Sequence, residues 1–293
     1  MSATTGPRRR EEEHPAPIVV PPGSGHHAQS FIILHGRGSN GDLFGKVLLD
    51  TPIPGYQTLQ NAYPNARFIF PTASKRRATI WKRSLINQWF DNWSLQTPEE
   101  REELQTDGLR ESSVYIHGLL HAQIAVVGPE NVVLWGLSQG CAISLTALLL
   151  WEGPKIAGAI GMCGWLPLRK RIEEMIQANE AAGDETDPFS ASTGSGSEDD
   201  NASQSNIDTA LEFLREELDL PKPQETTDSL LRIPVFLGHG TEGEKVPIKL
   251  DRKAQALFNT LGFDVCYNEY QNLGHWYSGQ MLADIIEFLT RKT

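Results

Sequence analysis

The sequence predicts an α/β fold in which a mainly parallel central sheet carries helices on both faces. Short runs rich in Val, Ile and Phe alternate along the chain with segments whose apolar residues recur at helical spacing. This alternation is typical of parallel sheets whose strands are joined by crossover helices. The 293 residues are 39% hydrophobic and 22% charged, which is the composition of a sizeable globular domain.

Seven segments have the pattern of buried strands. Each is short and apolar, and each is bounded by Gly, Pro or polar residues, which is how strands are delimited in a sequence. In chain order they cover residues 16–22, 29–36, 66–73, 130–136, 155–164, 232–238 and 263–270.

The helices are predicted from apolar stripes and capping residues. One stripe comprises Leu250, Ala254, Leu257, Phe258 and Leu261, and another comprises Met281, Leu282, Ile285, Ile286 and Leu289. Gly262 is placed to end the first of these helices. A longer polar helix is expected to begin at Thr97, with Pro98 in its first turn, and to bend near Gly108. A short amphipathic helix is expected over residues 207–218.

Two segments are predicted to lie outside the fold. Residues 1–15 contain a basic triplet followed by an acidic triplet and no apolar core, so we expect a disordered tail and no secretory signal. Residues 183–206 are rich in Ser, Gly and acidic residues, and we expect a disordered insertion. The remainder of 16–293 is predicted to form a single domain.

Charge and composition exclude several classes of function. With 37 acidic and 26 basic residues the net charge is −11, which disfavours nucleic-acid binding. The basic run at 74–83 is interpreted as a solvated loop. No apolar run reaches the roughly 18 residues of a membrane span, so no stable membrane insertion is expected. Three cysteines form no disulfide framework, which favours a reducing, cytoplasmic setting. Adjacent His26 and His27 are interpreted as exposed turn residues and not as metal ligands.

The strongest functional signal is GLSQG at residues 136–140. A β-branched strand precedes it and an apolar helix follows it. In GxSxG the serine occupies a sharp turn between strand and helix, and bulky neighbours in place of the glycines would clash there. Ser138 is therefore the predicted nucleophile. Cys141 falls inside the following helix and is expected to be buried.

Two further loops complete a predicted catalytic apparatus. The run FIILHGRGSNGDLF places a glycine-flanked Arg37 after a strand, where its backbone N–H would join that of Gln139 in an oxyanion hole. His35 is expected to orient that loop. His275, in YQNLGHWYSG, follows the last predicted strand and is the predicted general base.

Six segments in a fixed order carry a family resemblance. They read LHGRGSNG, WFDNWSL, GLSQGCAISL, CGWLPL, GHG…VP and GHWY. Together they resemble the phospholipase/carboxylesterase family of α/β-hydrolases, which includes the acyl-protein thioesterases. The similarity runs from about Ile18 to Phe288, apart from the 183–206 segment and the N-terminal tail.

This resemblance implies the α/β-hydrolase fold and cleavage of acyl thioesters on S-palmitoylated proteins, or of carboxylic or lysophospholipid esters. The substrate would be a small acyl ester or an acylated protein. No metal and no organic cofactor are implied. Ser138 matches the family nucleophile, His275 the base, and Arg37 and Gln139 the oxyanion donors. Residues 89–91 match a segment close to the acyl-binding region.

One position departs from the family pattern. The loop that reads HG-x-x-D-x-x-VP in the family has Gly243 in the aspartate position. Glu242 or Glu244 could take its place, as could Asp228 or Asp251 from elsewhere. We therefore expect a serine esterase or thioesterase of reduced activity, and the alternative is a catalytically impaired or non-hydrolytic protein with a binding or biosynthetic role.

The sequence leaves the acyl pocket and the oligomeric state open. Five aromatic residues could line an apolar acyl pocket, and each could equally belong to the core. They are Trp81, Trp89, Phe90, Trp93 and Trp165.

Overall fold

A seven-stranded sheet organises the fold. The computed structural model describes residues 14–184, 198–222 and 228–292. The strands in these ranges are β1 Ile18–Val20, β2 Gln29–Leu34, β3 Ala66–Phe70, β4 Lys75–Ala78, β5 Ser84–Asn87, β6 Val132–Leu137, β7 Gly158–Met162, β8 Val235–Gly240 and β9 Val265–Tyr270. The main sheet has the order β1-β3-β2-β6-β7-β8-β9. It contains all seven predicted strand segments, which are thereby confirmed.

The main sheet is parallel except at one edge. β1 pairs antiparallel with β3, and each of the other neighbouring pairs is parallel. From β2 the chain moves outward to β3 and later returns to place β6 on the other side of β2. This reversal leaves a crevice at the carboxyl ends of β2 and β6, which is where open α/β sheets bind their ligands.

Helices cover both faces of the sheet, as the sequence predicts. They are α1 Gly41–Leu49, α2 Leu59–Ala62, α3 Thr106–Val127, α4 Gln139–Leu149, α5 Arg169–Asp184, α6 Glu198–Glu217, α7 Asp228–Leu231, α8 Ile248–Thr260 and α9 Gly279–Lys292. Side chains of β2 alternate between two apolar cores, with Ile32 and Leu34 in one and Phe31 and Ile33 in the other. Apolar residues of α3, α4, α5, α6 and α8 belong to the first core, and those of α1 and α9 belong to the second.

The predicted start of the long polar helix is wrong. Residues 102–104 form a short 3₁₀ turn, and α3 begins only at Thr106. It passes Gly108 in its first turn without a break. A Cβ on Gly108 would lie 2.5 Å from the α-carbon of Phe90, so close packing against residues 89–90 requires a glycine there. The Gly108 signal therefore reflects a helix-to-loop contact and not a bend.

The basic run at 74–83 is also not the solvated loop that the sequence indicates. Its residues form β4 and the turn of an antiparallel hairpin with β5. Three consecutive basic residues hid this strand because they resemble a solvated loop, yet Arg76 is largely buried while Lys75 is exposed.

The two segments predicted to be disordered are only partly described. Residues 198–206 form the first part of α6, which therefore begins nine residues before the predicted helix. His14 of the predicted tail stacks on Tyr115, with ring centroids 3.9 Å apart, and its Nδ1 lies 3.3 Å from the Thr72 carbonyl oxygen. Residues 1–13 and 185–197 lie outside the described residues. None of the described helices is long and apolar enough to cross a membrane.

Two glycines of α3 provide a matched test of this packing. We expect Gly108→Ala to lower the free energy of unfolding by about 2 kcal/mol, because the added methyl would overlap Phe90. At Gly118 a Cβ would meet nothing within 4 Å, so Gly118→Ala should raise it by roughly 0.5–1 kcal/mol through helix propensity. Urea unfolding of both variants measures the difference. Equal shifts in the same direction would contradict the packing explanation.

Candidate active site

Ser138 lies at a strained turn between β6 and α4. Its backbone has φ 58° and ψ −118°, a combination that costs a non-glycine residue conformational energy. Close packing holds it: a Cβ on Gly136 would lie 2.1 Å from the Gly140 carbonyl oxygen, and a Cβ on Gly140 would lie 2.3 Å from that of Leu34. Both glycines of GxSxG are thus required by contacts with the backbone. The turn aims the Ser138 side chain out of the sheet, as expected for such an elbow.

The predicted nucleophile and base are in direct contact. Nε2 of His275 lies 2.8 Å from Oγ of Ser138. The backbone N–H of Ser138 donates to the Met162 carbonyl over 2.8 Å, which fixes the turn against β7. A neutral imidazole at this distance is placed to accept the hydroxyl proton. The two residues are 137 positions apart in the chain, and the sheet brings their loops together.

The loop after β2 lies against the nucleophile. A Cβ on Gly36 would come within 3.3 Å of Cβ of Ser138, so the backbone of the Arg37 loop faces the serine closely. Gln139 is the first residue of α4, and backbone N–H groups in a first helical turn have no partner within the helix. The backbone amides predicted to form the oxyanion hole, those of Arg37 and Gln139, therefore flank Ser138.

The Gln139 side chain has a structural role that the sequence does not reveal. Its Oε1 accepts a hydrogen bond from the Trp89 backbone N–H over 3.1 Å, and its Nε2 donates to the Phe90 carbonyl over 2.7 Å. The side chain is fully buried. It ties the segment at 89–92 to the turn that carries Ser138.

No acid of the described ranges lies beside the second nitrogen of His275. Nδ1 is buried, and among the described residues it has no hydrogen-bond partner. Glu242 and Glu244 are exposed, and Asp228 begins α7 on the surface. None of these candidate acids accepts a hydrogen bond from the ring, and neither does Asp251. In this structure Ser138 and His275 form a dyad.

Asp251 instead pairs with another histidine. It is fully buried in α8, and its Oδ2 lies 3.4 Å from Nδ1 of His239. Burial raises the pKa of Asp251, and contact with His239 opposes this. The other ring nitrogen of His239, Nε2, lies 3.0 Å from the Val246 carbonyl. Sequence reasoning weighed Asp251 as a remote substitute but gave no sign that His239 would engage it.

Burial sets the protonation of the predicted base. Burial, with smaller contributions from the neighbouring His239 and Lys245, lowers the pKa of His275 to about 4. Desolvation and like charges both disfavour the imidazolium form. His275 is therefore neutral at pH 7 and able to accept a proton, but its charged form is poorly stabilised.

An apolar cavity opens beside Ser138 and His275. Its volume is about 440 Å³, and apolar side chains make up most of its wall. They are Phe44, Ile80, Trp81, Leu95, Leu137 and Trp276. Of the five aromatic residues that the sequence offered, only Trp81 lines it. Trp89, Phe90 and Trp165 are buried core residues, and Trp93 is 40% exposed. The hairpin β4–β5 supplies Ile80 and Trp81, which is why the sequence did not reveal this wall.

One cluster of cysteine and histidine side chains has the composition of a metal site. The described part of the chain contains one group of three His, Cys, Asp or Glu residues whose donor atoms lie within 4.8 Å of one another. It comprises Cys163, His239 and His275. Zinc would need ligand distances of about 2.0–2.3 Å, and these atoms would have to move together. Nε2 of His239 is already engaged by Val246. As it stands, the cluster fits a metal ion poorly.

A family model accounts for most of the chain. Residues 15–183 and 218–293 match the model described as phospholipase/carboxylesterase. The chain belongs to this family. The match omits 184–217. This range includes residues 185–197, which lie outside the described residues, and α6.

Relatives and solved structures of the family span nearly the whole chain. Acyl-protein thioesterase 1 of Gibberella zeae is 26% identical over 281 residues, covering 94% of this chain and 95% of the relative. The crystal structure of Arabidopsis thaliana SOBER1 has a TM-score of 0.63 at 19% identity, covering 90% of this chain and 98% of the other. That of Zea mays acyl-protein thioesterase 2 has a TM-score of 0.62 at 20% identity, covering 94% and 98%. These likenesses establish the α/β-hydrolase fold.

The glycine at position 243, where the family has an aspartate, leads to a prediction about the pKa of His275 that can be tested without a substrate. We expect His275 of the native chain to stay neutral from pH 8 to pH 5.5. In Gly243→Asp the new carboxylate should raise the pKa of His275 into this range by stabilising the imidazolium. Gly243 does not have a positive φ, and a Cβ there would lie 3.2 Å from the nearest atom, so the side chain fits with a small adjustment. NMR titration of the His275 imidazole signals measures this pKa in the native chain and in Gly243→Asp.

The matched control is Gly243→Asn, which adds nearly the same volume without the charge. It should leave the pKa of His275 low. Titration of His275 near pH 6.5 in the native chain would contradict our account of its burial.

Proposed function

We propose that this family member is a serine hydrolase that cleaves carboxylic esters or acyl thioesters. The observation that carries the proposal is the 2.8 Å contact between Ser138 and His275 at the edge of an apolar cavity. Nucleophile and base within hydrogen-bond reach are the signature of covalent acyl transfer. The names of its relatives, acyl-protein thioesterases among them, support the same reaction class.

The proposed reaction proceeds in two halves. Ser138 Oγ attacks the acyl carbonyl as His275 Nε2 takes its proton, and the Arg37 and Gln139 amides bind the resulting oxyanion. His275 then protonates the departing alcohol or thiol, which leaves an acyl group on Ser138. Water, deprotonated by His275, attacks this acyl-enzyme and releases the carboxylic acid. No step uses a metal or an organic cofactor.

The acid-free dyad should make this hydrolase slow. Replacing the aspartate of a serine-protease triad lowers turnover about 10⁴-fold, equivalent to roughly 5.5 kcal/mol of barrier. An intact oxyanion hole and binding alone still retain about 10³-fold over water. The lack of a partner for His275 Nδ1 among the described residues supports an activity below that of a complete triad and above the uncatalysed rate.

The cavity and the cysteines bear on substrate and compartment. A cavity of about 440 Å³ with mainly apolar walls suits a fatty acyl chain, carried by a small ester or by an acylated protein.

Cys141 and Cys163 are buried thiols, and we propose a reducing, cytoplasmic location on that ground.

One observation favours a second candidate function. Among the described residues, His275 Nδ1 has no hydrogen-bond partner. A protein that no longer hydrolyses esters would not need an acid at that position. In that case the same fold would serve binding or a biosynthetic step, since a fold does not by itself determine function.

A fluorophosphonate probe separates the two functions. We expect covalent labelling of the native chain and none of Ser138→Ala, because only an activated serine displaces the fluoride. Mass spectrometry of the labelled peptide locates the adduct. An unlabelled native chain, under conditions that label an active relative, would support the non-hydrolytic alternative.

Turnover gives an independent prediction. Gly243→Asp should raise kcat/KM for a p-nitrophenyl ester by at least about tenfold, since the carboxylate stabilises the imidazolium formed in the transition state. Gly243→Asn should not. Equal activity in the three proteins would mean that another group already performs the role of the acid.

A further inference from the structure

Two cationic side chains line the cavity beside Ser138. They are Arg37, from the loop after β2, and Lys245, from the loop after β8. Among the described residues no carboxylate lines this cavity. The chain as a whole has a net charge of −11. Two positive side chains at the cavity therefore give it a local charge opposite in sign to that of the whole chain.

Arg37 is held in place with spare hydrogen-bonding capacity. Its guanidinium lies over the Trp81 ring, 4.6 Å from the centroid, and its Nη1 donates to Asn92 Oδ1 over 2.8 Å. Its Nε is buried and has no partner within the described ranges. Burial lowers the pKa of Arg37, and Asp91 opposes this, but an arginine remains charged at neutral pH. Asp91 itself is engaged by the Thr79 N–H and hydroxyl.

Lys245 is the more open of the two. Its side chain is exposed, and no described carboxylate lies within ion-pair distance of its ammonium. Glu242 and Glu244 precede it in the sequence, but both are exposed and neither lines the cavity. It lies close enough to His275 to disfavour the charged imidazole.

We propose that Arg37 and Lys245 form a subsite for an anionic group, and that the preferred substrate is an ester or thioester carrying a carboxylate or phosphate as well as an apolar chain. This inference rests on the proposed function. The apolar wall of the cavity contacts the hydrocarbon chain, and Arg37 and Lys245 bind the anionic group. A neutral ester would leave the two cations without an anionic partner.

An anionic substrate would also assist the base. A negative group on Lys245 offsets the positive charge that disfavours imidazolium at His275. Part of the role of the absent acid would then be supplied by the substrate, and the gain would appear in kcat as well as in KM.

The decisive measurement compares anionic and neutral substrates of matched shape. One pair places the charge on the acyl chain: the mono-p-nitrophenyl ester of suberic acid and its methyl-capped diester. The other places it on the leaving group: S-octanoyl-4′-phosphopantetheine and S-octanoylpantetheine. We expect kcat/KM to favour the anionic member of one pair by about tenfold at low salt, with the preference shrinking as salt screens the charges.

Variants assign the preference to the subsite. Lys245→Met should reduce the preference to threefold or less, and Arg37→Met should reduce it as well. Lys249→Met removes an exposed lysine four residues away that does not line the cavity, and should leave the preference intact. Equal kcat/KM within both pairs of substrates, or the same loss in Lys249→Met, would overturn the proposal.

A binding assay keeps this result apart from the proposed function. Octylphosphonate carries a chain and an anion but needs no turnover. Calorimetry should show that it binds the native chain more tightly than Lys245→Met, even if no ester is hydrolysed. If the protein hydrolyses neutral esters but shows no preference for anionic substrates and does not bind octylphosphonate, the anion subsite is overturned and the proposed hydrolase function stands.

Discussion

The strained backbone at Ser138 is the constraint on which the rest of the site depends. It is held because Gly136 packs against Gly140 and Gly140 packs against the backbone of β2. With these contacts in place, α4 starts immediately after the serine, and the loops after β2 and β9 converge on it. The conformational energy of one residue is thus balanced by the packing of a fully buried strand and helix.

The same packing explains why the base is both available and weak. His275 contacts Ser138 through Nε2, while its Nδ1 is buried and has no acceptor in the part of the chain that the structure describes. The fully buried carboxylate of Asp251 belongs to a separate pair with His239. A glycine in the acid position therefore leaves the imidazole neutral in a poorly solvating environment. Geometry for nucleophilic attack is preserved, and electrostatic support for the charged intermediate is not.

The sequence predicts what depends on local pattern and misses what depends on contacts between distant segments. β-branched runs and GxSxG are local, so all seven strands of the main sheet and the contact between Ser138 and His275 could be predicted. The reason for Gly108 within α3 is its packing against Phe90, and the cavity wall depends on a hairpin whose basic residues resemble a loop. The pairing of Asp251 with His239 likewise joins two elements that no motif relates.

The loop that carries Arg37 is joined to the β4–β5 hairpin at three points. Arg37 stacks on Trp81, the Gly38 N–H donates to the Asn87 carbonyl over 2.8 Å, and Asn87 Nδ2 donates to the Ser39 carbonyl over 3.0 Å. The hairpin carries exposed Ile80, Trp81 and Leu85. A displacement of this hairpin would therefore also shift the backbone that faces Ser138.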